Sequence, residues 1–148
     1  LFKAAADEGN TDAIYALAAL YREGQGVEKN ETEAARLMGE AARAGHLAAQ
    51  VEYAIMMFNG TGVVRDQKIA AAWFKVAAEA GNPVAQSRLA RLYAVGEGVK
   101  RALDAARHWY GYAKAAGLVD DWLEQALAPE AQKTAEKPPA LPGVDAGN

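Results

Sequence analysis

Apolar residues recur along this chain in two alternating groups, each spaced like one face of an α-helix. The first group has apolar side chains at i, i+4, i+7 and i+8, beginning at Ala13. The second has them at i, i+3, i+4 and i+7, beginning at Ala34. Both groups return 36 and 72 residues later. Because these spacings are typical of amphipathic helices, the sequence predicts a first and a second helix in each repeat.

Glycines mark the same 36-residue interval. A Gly-x-Gly-Val sequence follows each first helix, and its glycines are Gly24 and Gly26, Gly60 and Gly62, and Gly96 and Gly98. We expect the first glycine of each pair to end a helix in the left-handed conformation. A fixed period of this length is typical of stacked helical repeats. The sequence therefore predicts an all-α fold, a right-handed α/α solenoid of 36-residue helix-loop-helix repeats.

The single glycines that end each repeat divide the chain into parts. Residues 1–9 are expected to be the end of a truncated preceding repeat, so that the chain is part of a longer array. The other expected parts are three repeats at 10–45, 46–81 and 82–117, capping helices at 118–137, and a disordered tail at 138–148. Within the capping region we expect one helix over 118–127 and a second from Pro129 to Lys137, because Pro129 interrupts the pattern.

Capping residues and small residues refine this picture. Asn30 and Asp66 are expected to cap second helices, with Glu33 completing a capping box behind Asn30. Ala102 stands at the same position in the third repeat and cannot cap, so that helix is expected to begin weakly or later. Six alanines are expected to let the helices of a pair approach closely; they are Ala18, Ala41, Ala54, Ala77, Ala90 and Ala113.

Composition excludes several classes of function. The chain has no cysteine, so disulfide frameworks, thiol catalysis and cysteine metal sites are excluded. A net charge of −3 offers no footprint for a nucleic-acid backbone. No apolar run approaches the roughly 20 residues that cross a bilayer, so direct membrane insertion is not expected. Hydrophobic residues make up 51% of the chain, which predicts a folded domain with a substantial core.

The repeat pattern resembles that of the Sel1-like repeat family, a branch of the tetratricopeptide-like α/α solenoids. The pattern joins an Ala-x-x-x-Leu-Ala-x-Leu-Tyr segment, Gly-x-Gly-Val and an Ala-x-x-Trp-Phe segment, and it covers nearly all of residues 1–117. Trp73 and Trp109 hold its tryptophan position, where Leu37 departs from it. The resemblance implies a bacterial, non-catalytic scaffold for protein partners in signalling or envelope complexes. It favours the periplasm, the envelope or secretion over the cytoplasm, and it implies neither cofactor nor enzyme activity.

Isolated candidates for chemistry have simpler structural interpretations. The Gly-x-Gly sequence lacks the preceding strand and the following Lys-Ser or Lys-Thr of a phosphate loop. His46 and His108 have no partner histidine at metal-ligand spacing, so no metal site is expected. Asp120 and Asp121 are interpreted as helix caps and not as an acid and base pair.

The first helices supply the candidate binding residues. If they line a concave face, residues that lie outside the packing stripe point into a groove. The six candidates are Tyr15, Arg22, Val51, Ile55, Phe58 and Arg91. These six side chains suit a peptide ligand with apolar anchors and an acidic group. The chain itself is expected to be a monomer.

Three alternatives remain open at this point. Ile55 and Phe58 could equally be core residues, because the second repeat's first helix is apolar all round. A glycan or peptidoglycan-fragment receptor would use Tyr15, Trp109 and Trp122 as stacking surfaces. Some relatives have been linked to β-lactam hydrolysis, but no cysteine and no Ser-x-x-Lys is present here.

Overall fold

The structure, a computed structural model, describes residues 2–7 and 9–129. Over these residues it is all helical and contains no strand. The eight described helices are α1 (Phe2–Asp7), α2 (Thr11–Glu23), α3 (Glu31–Arg43), α4 (Leu47–Asn59), α5 (Gln67–Glu79), α6 (Pro83–Val95), α7 (Leu103–Ala115) and α8 (Asp121–Ala126).

The helices follow the 36-residue period of the sequence. The first helices α2, α4 and α6 are each 13 residues long and begin 36 residues apart. The second helices α3, α5 and α7 repeat with the same length and interval. The prediction of an α/α solenoid of 36-residue repeats is confirmed.

Each first helix ends at the predicted glycine, and the structure adds how it begins. Gly24, Gly60 and Gly96 cap the C-termini with φ of 72°, 77° and 80°. In each case the glycine amide donates to the carbonyl four residues earlier, which closes the last turn. At the N-termini, side chains at equivalent positions accept a hydrogen bond from the amide three residues later; they are those of Asn10, His46 and Asn82. Capping residues therefore recur with the same 36-residue period as the apolar residues.

The second helices begin with an additional backbone hydrogen bond, beside the predicted side-chain caps of Asn30 and Asp66, and this bond changes two predictions. The amides of Asn30, Asp66 and Ala102 each donate to a carbonyl of the preceding first helix, at 2.9 Å. This backbone bond places residue 102 without help from a side-chain cap, so α7 begins at the repeat position and not later. The same bond occupies the Asn30 amide, and the Glu33 carboxylate instead pairs with Arg36 at 2.8 Å. Asn30 caps α3 through its side chain, but the reciprocal half of the capping box does not form.

The chain forms two compact units, divided between Trp73 and Phe74. The core of the first is built from apolar residues of α2, α3 and α4, with Val63 and Trp73 packed against it. The core of the second includes residues of α6, α7 and α8, with Trp109 and Trp122 packed against it. The six alanines expected at close helix approaches are all 0% exposed. Alanine at these positions fills the core without spacing the helices apart.

The C-terminal end departs from the expected helix over 118–127. Gly117 and Leu118 donate their amides to carbonyls of α7, so they close that helix. Asp120 has an extended backbone and accepts the Leu123 amide, so it is the N-cap of a shorter helix, α8. The interpretation of Asp120 as a cap is confirmed. The helix expected to run to Lys137 and the tail at 138–148 lie outside the described residues, apart from Pro129.

Two helical glycines at equivalent repeat positions are expected to respond oppositely to alanine. A Cβ on Gly39 would lie 2.9 Å from the ring of Tyr53, which packs edge-on against Trp73. A Cβ on Gly111 would meet nothing within 4 Å. We expect Gly39→Ala to cost about 1–2 kcal/mol through overpacking. Gly111→Ala should gain about 0.5–1 kcal/mol from helix propensity.

Urea denaturation of the two variants beside the parent chain measures this difference. The opposite signs matter more than the sizes, because both changes add the same methyl group to a helix. A stabilised Gly39→Ala variant would show that the Tyr53 ring moves aside without cost.

Candidate interaction surface

In the first unit, α2 and α4 are joined by a contact built on His46. Its Nδ1 accepts the Ala49 amide at 3.1 Å, so this nitrogen carries no proton. Its Nε2 lies 3.0 Å from the carboxylate of Asp12. The Tyr15 ring stacks on the imidazole with centroids 4.6 Å apart. Tyr15, one of the candidate binding residues, is therefore half-buried and held in place by a neighbouring helix.

Arg22 makes a second polar contact between the same two helices. Its Nη1 donates to the Glu52 carboxylate at 2.6 Å, and its Nη2 lies 3.7 Å from Glu23. The side chains of Arg22 and Glu52 are 29% and 31% exposed, so water screens this pair in part. The guanidinium expected to meet an acidic partner is already paired within the chain.

Three of the six candidates lie on α4, and two of them are buried. Val51 and Phe58 are 6% and 7% exposed, so neither side chain lines an open groove. Ile55 is half-buried and keeps part of its surface accessible. The physical reason is that a helix apolar on all sides is buried on most of them. The structure therefore groups Phe58 with the core, and Ile55 is the residue of α4 that retains a surface.

In the second unit, a cleft of about 420 Å³ opens beside α6. We call it the α6–α8 cleft; it is lined by four residues of α6 and by residues 118–122, the four being Val84, Ser87, Arg88 and Arg91. The sixth candidate, Arg91, lies in its lining. Val84 and Val119 leave 41% and 61% of their surface exposed there. The second unit thus combines a concave site with accessible apolar side chains.

A buried carboxylate organises one side of this cleft. Asp120 is 7% exposed, and its Oδ2 accepts Arg91 Nε at 2.6 Å and the Ser87 hydroxyl at 3.1 Å. Its Oδ1 accepts the Leu123 amide at 3.1 Å. Burial alone would raise the pKa of Asp120, but the hydrogen bonds from Arg91, Leu123 and Ser87 hold that pKa below its ordinary value. Asp120 is therefore ionised and ties α8 to α6.

A second carboxylate ties α8 to α7. The Tyr110 hydroxyl donates to Glu124 at 2.5 Å, and Lys114 Nζ lies 3.0 Å from the same carboxylate. These two partners lower the pKa of Glu124. Burial, together with the hydrogen bond to Glu124, raises the pKa of Tyr110. The short helix that borders the cleft is thus fixed by charged hydrogen bonds on both sides.

Acid is expected to loosen this attachment. Asp120 and Glu124 both have pKa values lower than in the unfolded chain, where Asp and Glu titrate near 3.9 and 4.3. Their stabilising contribution is present above those values and is lost as pH falls through the lower folded-state pKa values. The free energy of unfolding should therefore fall more steeply below about pH 4 in the parent chain than in Asp120→Asn. Urea titrations between pH 6 and 3 measure both slopes, and parallel curves would contradict the prediction.

Sequence reasoning found Asp120 as a cap but missed its partners. Ser87 and Arg91 occupy the repeat positions that are apolar in the second repeat, Val51 and Ile55. The available signal was the polar pair Ser87 and Arg91, at positions that are apolar in the second repeat. Asp120 follows them after 33 and 29 residues. This signal points to a contact between successive first-type helices that is special to the third repeat.

Other kinds of site are not indicated over the described residues. Within 2–7 and 9–129, no group of three or more His, Asp or Glu side chains is placed to hold a metal ion. None of the helices in that part of the chain has the length and apolar character needed to cross a bilayer. His108, Trp109 and Tyr112 form an aromatic cluster on α7, with ring centroids 5.1–6.0 Å apart. Its rings meet edge-on or tilted, so they do not form a flat stacking platform.

Comparison with known proteins supports the architecture. The Sel1 repeat family model matches residues 11–46, 47–82 and 83–118, each one residue later than the limits set by the glycines. A Sel1 repeat protein from Oxalobacter formigenes superposes with a TM-score of 0.75 at 36% identity, over 85% of this chain and 93% of that one.

A second solved structure is that of a protective antigen of uropathogenic Escherichia coli that displays an SLR fold. It matches with a TM-score of 0.77 at 35% identity and covers 79% of this chain. This chain spans about a quarter of that protein, 25% of its length. No curated protein sequence matches the chain. Three consecutive repeat matches and two solved repeat structures together show that the chain belongs to the Sel1 repeat family.

Proposed function

We propose that this chain is a non-catalytic scaffold that binds a segment of a partner protein on the exposed surfaces of its first helices. Sel1 repeats are generally protein-interaction scaffolds. Both solved relatives are bacterial, and one is a protective antigen. They support the further proposal that the complex belongs to the bacterial envelope or a bacterial signalling assembly.

The observation that carries this proposal is the α6–α8 cleft. The repeat glycines and alanines serve as helix caps or pack between helices, so they are not available to a partner. In the cleft, by contrast, Val84 and Val119 are accessible and lie beside charged groups. Binding sites on proteins are typically concave, largely apolar and supplied with a few fixed polar groups. The cleft is concave and has fixed polar groups, although its lining is about equally polar and apolar.

The chemistry of the cleft supports binding and not catalysis. Its only hydroxyl-bearing lining residue, Ser87, donates to the Asp120 carboxylate, which is itself paired with Arg91. A catalytic serine instead donates to a group that can take its proton, and a carboxylate held ionised by Arg91 is a poor base. These side chains therefore serve as fixed polar groups.

Capture of partners from bacterial extracts tests the proposal. Parent chain, Ile55→Asp and the control Val64→Asp are immobilised in parallel; Val64 is 85% exposed and lies outside the first helices. A fourth immobilised protein, Val84→Asp, changes the cleft. We expect at least one bacterial protein to be retained by the parent and the control. The amount retained should be about tenfold lower on Ile55→Asp or on Val84→Asp. Far-UV circular dichroism checks that each variant is folded. Partner lists that are identical for all four proteins would refute binding through the first helices.

A further inference from the structure

One face of the helix α5 carries exposed apolar side chains. Ile69 and Val76 leave 45% and 43% of their surface exposed, and Ala72 between them is also exposed. Their spacing of i, i+3 and i+7 places the three side chains on one side of the helix, and we call them the α5 strip. Phe74, on the other side, is only 2% exposed. Single exposed apolar residues are common, but an aligned patch of them is typical of a contact with another molecule.

The first repeat is charged at the same three positions. Glu33, Arg36 and Glu40 occupy them on α3, 36 residues earlier. Arg36 lies 2.8 Å from Glu33 and 3.4 Å from Glu40, so these side chains pair with one another. Both sets stand on a second helix of 13 residues, so the repeat forms with either. The apolar character of the α5 strip is therefore not required by the repeat fold.

Three charged side chains border the α5 strip. They are Lys68, Lys75 and Glu79, and all three are exposed. Among the residues that the structure describes, none of the three takes part in an ion pair. With about 3.6 residues per turn, Lys68 and Glu79 lie on the same border of the strip, near opposite ends of the helix. This border is therefore positive at one end and negative at the other.

This arrangement of charges is complementary to itself. If two α5 helices pack face to face and antiparallel about a two-fold axis near Ala72, each Ile69 lies opposite Val76 of the other copy. The same rotation brings Lys68 of each copy beside Glu79 of the other, because the two borders stay on one side while their ends exchange. Two ion pairs then form, and the small Ala72 lets the helices approach closely. A parallel pair would instead separate these charges to opposite sides of the contact.

We propose that the chain self-associates through α5, as an antiparallel two-fold dimer in which the α5 strips of two copies face each other. This departs from the monomer expected from the sequence. Stable interfaces bury about 800 Å² on each partner, and one helix face offers less, so the dimer is weak and forms at high protein concentration. The inference goes beyond the scaffold function and does not depend on it. A dimer would offer the first helices of two copies to one partner and raise its avidity.

Sedimentation equilibrium of the chain between about 10 μM and about 1 mM tests the inference. We expect a reversible equilibrium of monomer and dimer. The strip variant combines Ile69→Glu, Ala72→Arg and Val76→Glu; these are the residues of the first repeat, so the variant should fold. It should weaken dimerisation at least about tenfold. Lys68→Glu should weaken it about fivefold, and adding Glu79→Lys should restore it, because the exchanged charges pair again.

Each other outcome overturns the inference. A chain that stays monomeric at about 1 mM would refute self-association. Dimers that persist in the strip variant would place the contact elsewhere, and a charge exchange that restores nothing would refute the antiparallel arrangement. Vesicles of phosphatidylglycerol that bind the monomeric parent but not the strip variant would identify a lipid surface as the occupant. Far-UV circular dichroism checks that each variant is folded, and the capture experiment decides the scaffold function separately.

Discussion

Replacing Gly62 by alanine is expected to destabilise the protein by about 3–5 kcal/mol. A Cβ at this position would lie 2.0 Å from the carbonyl oxygen of Glu31 and 2.4 Å from its carbonyl carbon. Both are backbone atoms at the start of α3, so they cannot rotate away as a side chain would. Gly62 also has φ of 71°, which costs a residue with a Cβ about 1–2 kcal/mol by itself.

Gly26 provides the matched control for this prediction. It has the same place in its Gly-x-Gly-Val sequence and φ of 75°, but an added Cβ there would meet nothing within 4 Å. Gly26→Ala should therefore show the conformational cost alone, about 1–2 kcal/mol. Urea denaturation of both variants isolates the cost of the close approach as their difference. Equal losses would mean that the Gly62 loop shifts freely away from α3.

Asp120→Ala is expected to cost about 3 kcal/mol. The change leaves the Arg91 guanidinium without its carboxylate and the Ser87 hydroxyl without its acceptor, and it removes the cap of α8. Removing one partner of a buried pair costs about 3–5 kcal/mol, and we expect the low end because Arg91 is 21% exposed and can be hydrated. Chemical denaturation, followed by the fluorescence of the tryptophans, measures the loss.

Asp121→Ala is the control, because its carboxylate is exposed on the first turn of the same helix. It should change stability by no more than about 0.5 kcal/mol. A second comparison separates the ion pair from the cap: Asp120→Asn with Arg91→Leu removes both charges and should cost less than the sum of the two single changes. Additive costs would show that Arg91 and Asp120 act independently.

Much of the fold was predictable because the residues that begin or end a helix recur in each repeat. The glycine that ends each first helix is a local signal, and it recurs every 36 residues. Ala102 lacks a side-chain cap, as predicted, but α7 does not begin later, because the Ala102 amide donates to the Tyr93 carbonyl, a bond that no side chain at residue 102 reports. Backbone bonds between elements leave little trace in a sequence.

The candidate surface was less predictable because helical register alone does not report what covers a residue. Tyr15, Arg22 and Arg91 were selected as candidates by register, yet each contacts a residue of the next repeat or the C-terminal cap that register could not supply. Phe58 has the same register as Arg22 in the preceding repeat but is buried. The α6–α8 cleft is bordered by residues 118–120, which precede the late start of α8 at Asp121, whereas the sequence had predicted a helix over 118–127.

The contact between Gly62 and Glu31 has a consequence for how such arrays change over generations. At this point the two repeats meet through backbone atoms, so this contact requires only the glycine, unlike the Arg22–Glu52 and Asp12–His46 contacts between the same repeats. Whole repeats could then be duplicated, deleted or exchanged between genes without matching substitutions at that joint. Joints made by side chains, such as Arg91 with Asp120, lack this freedom, because both partners must be inherited together.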